Sequence, residues 1–116
     1  LSRQVPVAVF SIAPQIALKS LLAEFSEVEC FGTSAVVENQ RLTRQLKAPL
    51  PYGEGRLHLG RSFADTHQFS LDESVYYGNS SGAVPLLRAV GDPICVNASA
   101  RLAKVAQGMG WRLIRI

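Results

Sequence analysis

No aspartate precedes Asp65 in this 116-residue chain, and only Asp72 and Asp92 follow it. Any reaction that needs an aspartate near the amino end therefore has none to use. Cysteine is nearly as scarce. Cys30 and Cys95 sit in separate apolar runs, with no C-x-x-C spacing and no neighbouring histidine pair, which argues against a thiolate metal site. Two free, buried thiols in a reducing, cytoplasmic compartment are the expectation. His58 and His67 are too far apart to form an i, i+4 metal pair and are expected on a helix surface. No apolar stretch is long enough to span a bilayer, and no signal-peptide pattern is visible. The net charge is +3, but Lys and Arg are scattered rather than gathered into a run. Neither a membrane nor a nucleic acid is expected as a partner. There is no G-x-S-x-G, P-loop or G-x-G-x-x-G motif, no internal repeat and no low-complexity tract.

What is present suits one small globular domain. The chain is 47% apolar and 18% charged, enough to build a core. Leu1 stands where an initiator Met is absent, as in a fragment, a processed product or a domain cut from something longer. Residues 5–10 (VPVAVF) read as a buried strand ended by Ser11. A helix follows over 13–25, with Ile16, Leu18, Leu21, Leu22 and Phe25 as its apolar stripe. Residues 29–32 give a second strand. The alternation across 33–50, with a turn at Glu38-Asn39-Gln40, predicts a β-hairpin excursion. A helix over 55–69 is expected to bury Leu57, Leu59, Phe63 and Phe69.

The stretch 75–97, VYYGNSSGAVPLLRAVGDPICVN, is the most informative. It reads as strand, polar loop, short helix with Pro85 in its first turn, a Gly91-Asp92-Pro93 break, and a buried strand at 94–96. A last helix over 99–109 takes Ser99 as cap, with Leu102, Val105 and Ala106 on its inner face and Gly108 and Gly110 at its end. Residues 111–116 (WRLIRI) form a final strand. Strands alternating with helices imply an α/β, three-layer, Rossmann-like parallel sheet with helices on both faces. Right-handed crossovers gather the strand-end loops on one edge. Those loops carry Ser11, the 53–56 turn and the 79–83 loop.

Four segments, in order, resemble the haloacid-dehalogenase-like (HAD) hydrolases, in their phosphoserine-phosphatase-like branch. VAVFSIAP is similar to that family's apolar strand ending in Ser or Thr. ECFGTSAVVENQRLT is similar to its strand and G-T excursion. PYGEGRL is similar to its G-E-G-K segment. YGNSSGAVPLLRAVGDPICVN and the tail through MGW are similar to its Y-S-D-S-x-x-D-x-P, V-G-x-P and G-W segments. The resemblance covers nearly all of this chain but only the carboxyl-terminal part of such an enzyme. It implies phosphoryl transfer through an aspartyl-phosphate with a magnesium ion.

Carried over residue by residue, the resemblance makes Ser11 the phosphate-contacting hydroxyl; read from the residues alone, Ser11 caps the following helix. Arg56 stands where relatives have Lys, and the plain reading is a surface Arg at a helix start. Asn79 occupies the position of a metal-binding Asp, a vestigial ligand without charge. Ala83 occupies the position of the second acidic residue. The D-x-D-x-[TV] nucleophile motif is absent, so no residue here is assigned a catalytic role. Asp65, Asp72 and Asp92 are expected as solvated residues or turn formers.

Three readings follow. The first is a degenerate phosphatase-fold domain acting as a structural or interaction module, with anion binding of phosphate type at Ser11 and Arg56 and no cofactor. The second is one piece of a Mg²⁺-dependent phosphomonoesterase whose nucleophile lies upstream. The third is a HAD-like domain of a larger multifunctional enzyme. In relatives the nucleophile strand lies mid-sheet. Without it, the strands at 7–10 and 75–77 either pair directly or leave a gap, and an exposed edge invites self-association or a partner strand.

Overall fold

The computed structural model describes residues 5–25 and 27–116. The element order is β1 (Val7–Pro14), α1 (Gln15–Leu21), β2 (Val28–Thr33), β3 (Ala35–Glu38), β4 (Arg41–Leu46), α2 (Glu54–Thr66), β5 (Val75–Gly78), α3 (Val84–Ala89), β6 (Asp92–Val96), α4 (Ala100–Met109) and β7 (Arg112–Ile114). This is the expected parallel α/β architecture with a hairpin excursion. β1 and β2 pair in parallel, from Val7 opposite Val28 to Phe10 opposite Phe31. β5, β6 and β7 form a second parallel set in that order. β3 and β4 make the hairpin, which turns on Asn39 and Gln40, both at positive φ. That is the backbone a two-residue hairpin turn requires.

β1 and β5 do not pair among the described residues. Of the two outcomes open to the sequence, a gap is the one adopted. Side chains span it instead: the Phe10 and Tyr76 rings meet edge to face at 6.4 Å.

The core lies in the carboxyl-terminal half. Ala83, Leu87, Cys95, Leu102 and Ala106 form one cluster, each 0% exposed. Residues flanking or within α3 and α4 both reach this cluster, so the two helices share a face, as right-handed crossovers in one direction require. Pro85 sits in the first turn of α3. The Ser99 hydroxyl accepts from Leu102 N at 3.2 Å, and Gly110 closes α4 at φ +74°.

Several expectations need correction. β1 does not end at Ser11; it runs on through an irregular step to Pro14, paired with Thr33. α1 is correspondingly shorter than expected, and its first residue is held by side-chain bonds to β2: Gln15 Oε1 accepts from Gly32 N, while its Nε2 donates to Cys30 O at 2.9 Å. Ile16 and Leu21 are exposed rather than inward; Leu18 is the residue α1 buries. α2 buries Arg56, Gly60, Phe63 and Ala64, whereas Leu57 and Leu59 are half-buried. At position 60 the buried stripe uses glycine because α3 packs close. A Cβ at Gly60 would come within 2.9 Å of Leu86 Cδ1. Gly108 lies inside α4, and Gly110 alone ends it.

Candidate functional site

The carboxyl ends of β1 and β5 open onto one cleft of about 570 Å³, the edge at which open α/β sheets hold ligands. Ser11, Arg56 and Asn79, singled out from three distant stretches of sequence, all line it. Tyr52, Tyr76 and Asn97 complete much of the wall, and sequence reasoning assigned none of them to the site. Phe10 and Tyr76 also wall an apolar cavity of about 370 Å³, lined further by Phe63, Phe69, Leu86 and Val90.

Arg56 is the best-determined member. It is 8% exposed, not a surface residue. Its Nε donates to Pro51 O at 2.9 Å and its Nη1 to the Tyr76 hydroxyl at 2.8 Å. Two bonds on different elements fix the plane of the guanidinium, which an ammonium could not reproduce. Burial raises the Tyr76 phenol above its ordinary pKa, and the nearby Arg56 charge and hydrogen bond pull against that rise. The phenol therefore stays protonated through neutral pH.

The turn that carries Arg56 is tied to the 79–83 loop by Gly53 N donating to Gly82 O at 2.8 Å. Tyr52 packs over Gly82 so tightly that a Cβ there would fall 2.2 Å from its ring. Glycine at 82 is thus what lets the turn and the loop approach.

Ser11 Oγ accepts from Ala13 N at 3.1 Å. It holds the irregular end of β1 and does not cap α1, whose cap is Pro14. Asn79 is exposed at the cleft. Ala83 is not a cleft residue: it is fully buried against Leu87 and close to Gly78. Among the described residues, no aspartate or glutamate lines the cleft. Asp65, Asp72 and Asp92 are exposed and lie on α2, in the 3-10 turn Leu71–Glu73 and at the start of β6. The donors on offer are amides and hydroxyls, without charge to balance a magnesium dication, which prefers one or two carboxylates. The cleft residues do not by themselves fit that ion.

His58 is exposed on α2, and His67 ends that helix, with Nε2 2.7 Å from Glu29 Oε1. No group of three or more His, Cys, Asp or Glu could hold a metal among the described residues. Cys30 and Cys95 are both free thiols, and burial pushes Cys95 up in pKa. No helix among the described residues is long and apolar enough to cross a membrane.

A parallel α/β core with a polar cleft at its strand ends, holding one buried arginine, defines the class of Rossmann-like folds that take ligands at that edge. The haloacid dehalogenase-like hydrolase model matches residues 1–88, and the chain belongs to that family. It is 32% identical over 82 residues to the phosphoserine phosphatase SerB1 of Mycobacterium tuberculosis, a match covering 71% of this chain and 27% of that protein. A protein of unknown function from Bordetella pertussis superposes with a TM-score of 0.78 at 25% identity, covering 92% of this chain and 49% of the other. A substrate-bound phosphoserine phosphatase superposes with a TM-score of 0.74 at 18% identity, over 93% and 50%. The chain thus spans about a quarter of that curated relative and about half of those two solved chains.

Proposed function

We propose that the cleft binds the phosphoryl group of a small phosphomonoester through Ser11 and Arg56, and that these 116 residues do not hydrolyse it by themselves. The observation that carries this reading is the buried guanidinium of Arg56, held by Pro51 O and Tyr76 in the cleft that Ser11 also lines. A planar cation fixed at both ends is suited to a tetrahedral anion. A carboxylate nucleophile and a charged metal site are what the cleft residues do not supply. In this reading the domain is a degenerate member of its family that retains anion recognition, working as a binding or structural module. Two free cysteines accord with a reducing compartment such as the cytoplasm. The test is calorimetric titration with inorganic phosphate. Saturable binding that weakens about tenfold or more in Arg56→Met supports the reading; no heat of binding to the wild-type chain ends it.

The gap between β1 and β5 favours a second reading. Both inner edges are unpaired among the described residues, and an unpaired strand edge is a template for another strand. A strand from outside these 116 residues that occupies the gap and brings a carboxylate to the cleft would make this the carboxyl-terminal part of a Mg²⁺-dependent phosphomonoesterase. Magnesium-dependent turnover of an aryl phosphate by a longer parent protein supports it; an inactive parent removes it. Self-association through the same edges is read by size-exclusion chromatography across a concentration series.

A further inference from the structure

Two separate features of Tyr76 point the same way. Its ring sits on β5, walling the cleft beside Ser11, Arg56 and Asn79. Its hydroxyl is occupied as an acceptor, receiving Arg56 Nη1 at 2.8 Å. A phenol oxygen that accepts still has its own O–H to donate. Among the described residues, the Tyr76 hydroxyl has no hydrogen bond beside the one it accepts from Arg56. The remaining donor belongs to a residue that lines the cleft. It is also adjacent to the guanidinium, so an anion held by Arg56 comes within reach of it.

We propose that Tyr76 is a ligand of the bound phosphoryl group, donating its hydroxyl hydrogen to an oxygen of the anion while accepting from Arg56. This rests on the phosphate-binding reading of the cleft and extends it to a residue outside the family-derived set. The chain of hydrogen bonds runs from Arg56 to Tyr76 to the anion, and each bond polarises the next. The phenol suits this use because burial holds it protonated, with Arg56 opposing only in part. It also gives a physical account of arginine at 56. The guanidinium bonds Pro51 O through Nε and seats the tyrosine through Nη1, two separate nitrogens in one rigid plane, which the single nitrogen of Lys does not present.

The test titrates inorganic phosphate into the wild-type chain and Tyr76→Phe. Phenylalanine keeps the ring and its edge contact with Phe10, and removes only the hydroxyl. The expected result is a dissociation constant raised about five- to tenfold, the loss of one hydrogen bond to an anion. In parallel, the wild-type chain carries ¹³C at tyrosine Cζ, with resonances assigned through Tyr52→Phe and Tyr77→Phe. The Tyr76 Cζ signal is expected to move and to saturate along the calorimetric isotherm. Binding by Tyr76→Phe within twofold of wild type overturns the proposal and leaves the anion reading standing. A Cζ signal that stays fixed while the wild-type chain binds does the same, and decides the matter if Tyr76→Phe fails to fold. No binding to the wild-type chain overturns both.

Discussion

The two parallel sheets of this molecule are built to different standards. Around β5, β6 and β7 the cluster of Ala83, Leu87, Cys95, Leu102 and Ala106 is completely sealed. Around β1 and β2, Leu18 is the buried hydrophobic of α1, while Val7, Ile12, Ile16, Leu21 and Phe25 stay exposed. The sequence is no less apolar in the second region; it lacks a surface to close against. One sheet seals a core cluster, with Val75, Tyr77 and Leu113 left outside it, and the other leaves most of its apolar groups open to solvent. The halves are joined by side chains: Phe10 to Tyr76, Phe31 to Phe63 at 6.1 Å, and Glu29 to His67.

The sharpest way to break this contrast is to place a charge in the sealed half. Ala83→Asp restores the residue type that the family resemblance places there, yet puts a carboxylate at a site with 0% exposure and no partner. It is expected to destabilise the chain by about 3–5 kcal/mol, read by urea unfolding, and not to create a metal site. Next comes truncation. Leu87→Ala or Leu102→Ala, both at fully buried positions, should cost about 3 kcal/mol. Ile16→Ala, at 82% exposure, should change stability by no more than about 0.5 kcal/mol. Equal losses in the two regions would show that the amino-terminal sheet is closed in solution, by a second copy or another strand.

Element order was legible because buried parallel strands read as apolar runs, and Pro85, Ser99 and Gly110 mark helix ends by backbone chemistry. The hairpin was legible from its turn. The convergence of Ser11, Arg56 and Asn79 followed from strand-end loops sharing an edge, although their roles did not. The face of α2 was not legible, because the close approach of Leu86 selects Gly60 over a larger side chain, and hydrophobic periodicity does not register glycine. The burial of Arg56 was missed for a related reason. Its partners are a carbonyl five residues earlier and a hydroxyl twenty residues later, and no local pattern encodes them. One signal was available: a tyrosine in a strand expected to be buried needs a polar partner for its hydroxyl. Ser11 misled because a hydroxyl after an apolar run suggests a cap, whereas pairing of Pro14 with Thr33 carries the strand past it.

The join between the halves has a pH signature. The Tyr76 phenol is raised above 10.0, first by burial, with Arg56 acting in the opposite sense. A group whose pKa is higher folded than unfolded adds stability that is complete below the unfolded value and is lost as pH climbs through the folded one. From Tyr76, unfolding free energy should thus be level up to about pH 10 and fall above it. Tyr76→Phe should remove that part of the alkaline slope. A slope unchanged in the variant would place the alkaline sensitivity elsewhere.

The smallest effect concerns the outermost tie. His67 and Glu29 are 33% and 46% exposed in their side chains, so solvent screens them, and the pair is charged only when the imidazole is protonated. A double-mutant cycle of His67→Ala and Glu29→Ala should give a coupling of about 0.2–1 kcal/mol, shrinking further as salt is raised toward 1 M. His67→Ala alone is expected to cost more than the coupling, because its ring also lies 4.5 Å from that of Phe63, and that packing is indifferent to salt. A coupling well above 1 kcal/mol would mean that the ends of β2 and α2 are less solvated than their exposure implies. Closure of the amino-terminal sheet by a second copy or another strand would desolvate them, so this weak pair also reports on whether the open half stays open.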